Sequence, residues 1–146
     1  MRQPILLLLA LIASIPRIAS AGSFTVTDDR APNEVSEVSR LYLDGNLAAI
    51  FRLDDKTPSL TRTITTPSGR VNHSYALCGQ ITIVNAEGRS ETHRVSSEGT
   101  LFNPDGHHLV ALGDDNFTQF FLRDPLDPSV AKRLPGHSGI CASPIS

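Results

Sequence analysis

From residue 22 onward, apolar and polar positions alternate in short runs, broken every 8–15 residues by glycine, proline or Asn/Asp turns. The runs are rich in β-branched and aromatic residues, and together these patterns predict an all-β domain. Phe24 to Thr27 reads as a first strand, with Asp28 to Asn33 as the loop after it. Ser59 to Thr66 is a second segment of this kind and ends at the turn Pro67-Ser68-Gly69. The alternation is clearest in Val71 to Val84. There Tyr75, Leu77, Ile81 and Ile83 fall on one face, and Ala76, Cys78, Gln80 and Thr82 on the other. Gly79 interrupts this strand and marks either a bulge or a close approach by another strand. Asn85 to Gly88 turns into Arg89 to Val95, whose polar side chains suit an exposed edge protected from edge-to-edge pairing.

Glu37 to Leu53 admits two readings. As a hairpin, Asp44-Gly45 supplies a two-residue type I′ turn, in which both central residues take positive φ. Val38 then faces Phe51, and Tyr42 faces Leu47. The competing reading is a helix capped by Asn33, with Val35, Val38 and Leu41/Tyr42 on one face and Gly45 beyond its C-terminus. The hairpin is preferred. A second hairpin is expected from Thr100-Leu101-Phe102 and His108 to Leu112 around Asn103-Pro104-Asp105-Gly106, and Gly113 to Asn116 then turns into Phe117 to Leu122. Asp127 to Leu134 has an Asp N-cap, Pro128 at the first helical position and basic residues after it, which predicts a turn or two of helix. The expected fold is a single antiparallel β-sandwich or small barrel spanning 22–146, with a short C-terminal helical turn.

The first 21 residues are patterned differently. Arg2 precedes an apolar run from Ile5 to Ile15, and Ala19-Ser20-Ala21 offers small residues where a signal peptidase cuts. This is the organisation of a secretory signal peptide, with cleavage expected between Ala21 and Gly22. The run is too short for a membrane span, which needs roughly 20 apolar residues. Cleavage removes Arg2 and Arg17, leaving 11 basic against 15 acidic side chains, a net charge of −4. With no basic cluster, that charge disfavours nucleic acid and anionic membrane surfaces as partners. Both cysteines, Cys78 and Cys141, lie in the exported part. An even pair in a small secreted domain predicts a disulfide, here stapling the C-terminal tail across the Ala76/Cys78 face of the central strand.

Candidate chemistry is sparse. His107 and His108 lie near Asp105, Asp114 and Asp115, but strand neighbours point to opposite faces, and neither a zinc nor a calcium ligand pattern is present. Turn chemistry accounts for the acids, so no metal or other cofactor is expected. Gly136-His137-Ser138-Gly139 is not a G-x-S-x-G elbow, and no spacing selects a carboxylate pair for acid/base work. Asn72 and Asn116 begin N-x-S/T sequons, which carry meaning only in a eukaryotic source. The absence of Trp argues against an aromatic sugar platform. These readings converge on an exported, non-enzymatic binding or accessory domain, periplasmic or extracellular, acting on a protein partner more than a glycan. The alternatives are a small hydrolase using His107 or His108 with Asp114 or Asp115, and a structural subunit of an envelope assembly.

Overall fold

Nine strands and one 3-10 turn make up the computed structural model of the chain, described over residues 22–113, 120–134 and 139–142. They are β1 (Ser23–Asp29), β2 (Glu34–Leu43), β3 (Asn46–Leu53), β4 (Ser59–Thr65), β5 (Asn72–Val84), β6 (Ser90–Phe102), β7 (His108–Gly113), β8 (Phe120–Arg123) and β9 (Ala131–Leu134), followed by η1 (Gly139–Ala142). Two sheets face each other, ordered β4-β1-β7-β8 and β3-β2-β5-β6-β9. The fold is a β-sandwich, as the alternation predicts. All described pairs are antiparallel except β1 with β7, which run parallel. Side chains from both inner faces form one core around Phe24, Leu41, Phe51, Leu77, Leu101 and Leu122. The Tyr75 hydroxyl on β5 accepts a hydrogen bond from the Leu122 N–H on β8 (3.3 Å), tying one sheet to the other.

The hairpin reading of Glu37 to Leu53 holds, with Asp44 and Gly45 at φ 50° and 84°. Its register departs from expectation. Tyr42 pairs with Leu47, but Leu41 pairs with Ala49, so Ala48 is bulged out and Val38 faces Arg52 instead of Phe51. The bulge moves Phe51 to the inner face, opposite Ser39, where it is fully buried.

Three other expectations are corrected, and the two readings of Gly79 are decided. Asp28 and Asp29 belong to β1, because Asp28 continues the inward phase of Phe24 and Val26 and both acids pair with β4. Gly79 marks a close approach and not a bulge: a Cβ there would meet Phe120 of the facing sheet at 2.9 Å. The segment from Thr100 to Leu112 is not a hairpin, since β6 and β7 lie in different sheets. The crossing chain uses its N–H groups elsewhere: Asn103 donates to the Val71 carbonyl and Gly106 to that of Ser23. Finally, Ala131–Leu134 is strand. Asp127 caps one turn by accepting from the Ser129 N–H and hydroxyl, after which the chain extends to pair with Glu98–Leu101.

That last pairing requires Gly99. A Cβ at this position would lie 2.4 Å from the Lys132 carbonyl oxygen and 2.6 Å from the Tyr75 ring. Backbone cannot rotate away as a side chain can, so Gly99→Ala is expected to lower the unfolding free energy by about 1–3 kcal/mol. Denaturant titration measures this. A variant within about 0.5 kcal/mol of the parent would mean that β9 is not held against Gly99.

Candidate functional site

Strand phase delivers an unusual group of acids to the core. On β1, Phe24, Val26 and Asp28 share the inner face; on β2, Leu43, Leu41, Ser39 and Glu37 do so. Asp28 is therefore only 1% exposed and Glu37 only 2%, at the end of the sandwich where β1 finishes and β2 begins. The Ser39 hydroxyl donates to Asp28 Oδ2 (2.8 Å), and Asp28 and Glu37 hydrogen-bond each other. Asp28 Oδ1 and Glu37 Oε2 are both buried, and no other described residue donates a hydrogen bond to either. Glu34, also buried, lies beside them. The intervening turn is fixed by the Arg30 N–H bonding the Pro58 carbonyl (2.8 Å), by the Arg30 guanidinium on the Glu34 carbonyl, and by the Ala31 N–H on Glu34 Oε2 (3.3 Å).

Burial dominates the electrostatics. It pushes Asp28 up to about 7, against the lowering effect of the Ser39 hydrogen bond. It pushes Glu37 up to about 9, reinforced by the neighbouring charges of Asp28 and Glu34. Glu34 is raised by burial as well. Two close carboxyls cannot both ionise cheaply, so the pair holds a proton, with Glu37 as donor and Asp28 as acceptor. The acids line a cleft of about 380 Å³, walled by Ile81, Val95, Ala111, Leu112 and Phe120. Apolar walls around a few convergent polar groups are the usual make-up of a small-molecule site. No His, Cys, Ser or Thr is among the described residues that line it.

The histidines lie elsewhere. His107 Nδ1 bonds Asp124 Oδ2 (2.8 Å) at the opposite end of the sandwich. His108, on the exposed face of β7, contacts the hydroxyls of Thr25 (2.7 Å) and Thr27 (3.3 Å). Asp114 and Asp115 lie outside the described residues, as do residues 1–21, the Asn116 sequon and residues 135–138. Asn72 is exposed at the start of β5. A second His–carboxylate pair, His73 Nδ1 with Asp44 Oδ2 (2.7 Å), stands beside the β2–β3 turn. Burial works to raise Asp44 and Asp124, but hydrogen bonds from their histidines and from backbone N–H groups hold both below the usual carboxylate range. Among the described residues, no three His, Cys, Asp or Glu side chains are placed to hold a metal ion.

Cys78 and Cys141 are bonded, with Cα atoms 5.3 Å apart. Through this bond η1 packs on the outer face of β5, where Ala76 and Cys78 are buried although they point away from the core. No helix among the described residues is long and apolar enough to cross a membrane.

Sequence reasoning misses the acid pair because it places Asp28 in a loop and opposes Val38 to Phe51 without saying which face of β2 is buried. The signal was nonetheless present. Counting back by twos from Leu43 and Leu41 reaches Ser39 and Glu37, and counting forward from Phe24 and Val26 reaches Asp28. No protein-family model matches the chain, and comparison with curated proteins and with solved structures gives no significant match.

Proposed function

We propose that the chain is an exported, non-enzymatic binding domain whose acid-based cleft receives a group presented by a protein partner. One observation carries this reading: a cleft of about 380 Å³ joins apolar walls from both sheets to the buried carboxyl pair of Asp28 and Glu37. The described lining offers acids and apolar walls, the make-up of a binding cleft. Export is supported by the signal-like pattern of residues 1–21 and by the Cys78–Cys141 disulfide, a bond characteristic of oxidising compartments.

Photo-crosslinking in the producing cell tests this. A photoreactive side chain at position 112, exposed at the cleft, is expected to give a discrete protein adduct outside the cytoplasm. The adduct should start at Gly22 and should be lost with Glu37→Gln. The same group at Leu126, which is 94% exposed on the β8–β9 loop, serves as control. Equal labelling from both positions, or a product still carrying Met1 in the cytoplasm, would refute the reading.

A further inference from the structure

We infer that β3 is a dimerisation edge, through which two copies of the chain join antiparallel about a two-fold axis. The two five-stranded sheets then become one continuous sheet of ten strands. An open sheet edge is a template for pairing with another chain, and proteins normally protect it by shortness, by charge or by an inward-pointing ionic side chain. Among the described edges, all but one follow that rule. β8 and β9 have four residues each, and β9 carries Lys132 and Arg133. The part of β6 beyond β9, Ser90 to Ser97, carries Glu91 and Arg94. On β4, Arg62 pairs with the buried Val26 and so falls on the inner face of an edge strand. β3 is the exception. It runs for eight residues, Asn-Leu-Ala-Ala-Ile-Phe-Arg-Leu, with Arg52 as its one charge. Among the described residues it pairs with β2 on one side and with no strand on the other. Leu47 is 50% exposed, and Leu47 to Ile50 line an apolar groove of about 430 Å³ that reaches Arg62 and Thr63 of β4.

Register and charge select a second copy as the occupant. The bulge at Ala48 limits regular pairing to Ala49–Leu53, whose centre is Phe51. A two-fold axis there opposes Phe51 to Phe51, Ala49 to Leu53 and Ile50 to Arg52. Inner positions meet inner ones and outer positions meet outer ones, so the hydrophobic phase of both sheets is kept. Arg52 faces the Ile50 side chain of the other copy and not its own counterpart, which avoids the like-charge opposition that destabilises strand pairs. Entropy favours the same occupant. A free peptide added to this edge must be ordered residue by residue, whereas β3 of a second copy is already extended and held by β2. The groove also lacks the row of side-chain pockets by which an added strand is usually selected, since Ala48 and Ala49 form its middle. Such a contact is isologous, and each chain has one such edge, so assembly stops at two.

Sedimentation equilibrium of the purified mature protein, with amide hydrogen exchange at low and high concentration, tests the assignment. A seam one strand wide lies at the small end of specific interfaces, so a dimer with a Kd on the order of 10–100 μM is expected. Exchange at Ala49–Leu53 should slow as the dimer fills, while exchange at β9 stays unchanged. Ile50→Lys sets a cation opposite Arg52 of the other copy, and Ile50→Glu sets an anion there. The two-fold axis repeats each pair, so Ile50→Glu is expected to dimerise at least about tenfold more tightly than Ile50→Lys. Each variant is first confirmed folded by its amide spectrum. Leu134→Lys, on the β9 edge, should leave the Kd within about twofold of the parent, as a surface change outside the contact. Monomer mass at all concentrations up to about 1 mM would overturn the inference, as would species larger than two copies. Equal weakening by Ile50→Lys and Ile50→Glu would overturn the β3–β3 register, and loss of the dimer in Leu134→Lys alone would move the contact to β9 and refute it.

Discussion

Raising the pH from about 5 to about 9.5 is expected to lower the unfolding free energy by roughly 2–4 kcal/mol, an unusual direction for an acidic protein. Asp28 and Glu37 both have folded-state values above the ordinary 3.8 and 4.5, so the folded chain holds protons that the unfolded chain gives up. Their contribution is fully present below about pH 4 and is lost as the pH rises through about 7 for Asp28 and about 9 for Glu37. Asp44 and Asp124, held low by their histidines and by backbone hydrogen bonds, act in the opposite sense and lose their contribution on acidification below about pH 4. The stability curve should therefore peak near pH 5. Glu37→Gln, which cannot ionise, should flatten its alkaline limb. Denaturant midpoints across this range provide the measurement. A constant unfolding free energy between pH 5 and 9 would show that the carboxyl pair is solvated and ionised.

Removing the disulfide should be at least as costly. The bonded cysteines are 63 residues apart, and on the loop-entropy account closing such a loop contributes about 4 kcal/mol. Cys78→Ser with Cys141→Ser is expected to lower the melting temperature by on the order of 10–20 °C. The substitution also frees η1 and uncovers Ala76 and the residue at 78, both now buried on the outer face of β5. Thermal unfolding with and without reductant separates the effect of the bond from that of the substituted side chains. A midpoint unmoved by reductant would mean that the tail is held by its other contacts.

Local rules made much of this architecture readable. Wherever a strand is apolar on one face and polar on the other, as in Val71 to Val84, its limits and orientation followed from alternation. The cysteine pair followed from parity and compartment. The failures share a cause. Thr100 to Leu112 resembles a hairpin because turn chemistry at Asn103-Pro104-Asp105-Gly106 is local, while the choice of sheet depends on which carbonyls the crossing N–H groups find. Ala131–Leu134 carries a sound helix-start signal, but the open edge of β6 at Glu98–Leu101 gives its backbone a better set of partners. In β2 the hydrophobic pattern and the burial pattern disagree outright: Val35 is exposed while Glu37 is buried. Disagreement of this kind between local preference and the fold is expected at functional or strained sites. Here it falls at the cleft.

The parallel pairing of β1 with β7 also sets the order in which the chain can assemble. Thr25 lies against His108, 83 residues later, so the first strand stands in the middle of its sheet with one side empty until most of the chain is present. Contacts of such long range slow folding, because the loop must close before the pairing rewards it. The β2–β3 and β5–β6 pairs join neighbours in sequence and can form early, whereas the β4-β1-β7-β8 sheet must form late. A chain threaded N-terminus first across a membrane would therefore emerge with its central strand leading and have to keep that strand unpaired until β7 followed. Residence in that half-built state, with Phe24 and Val26 uncovered, is the stage at which this protein is most exposed to aggregation and proteolysis.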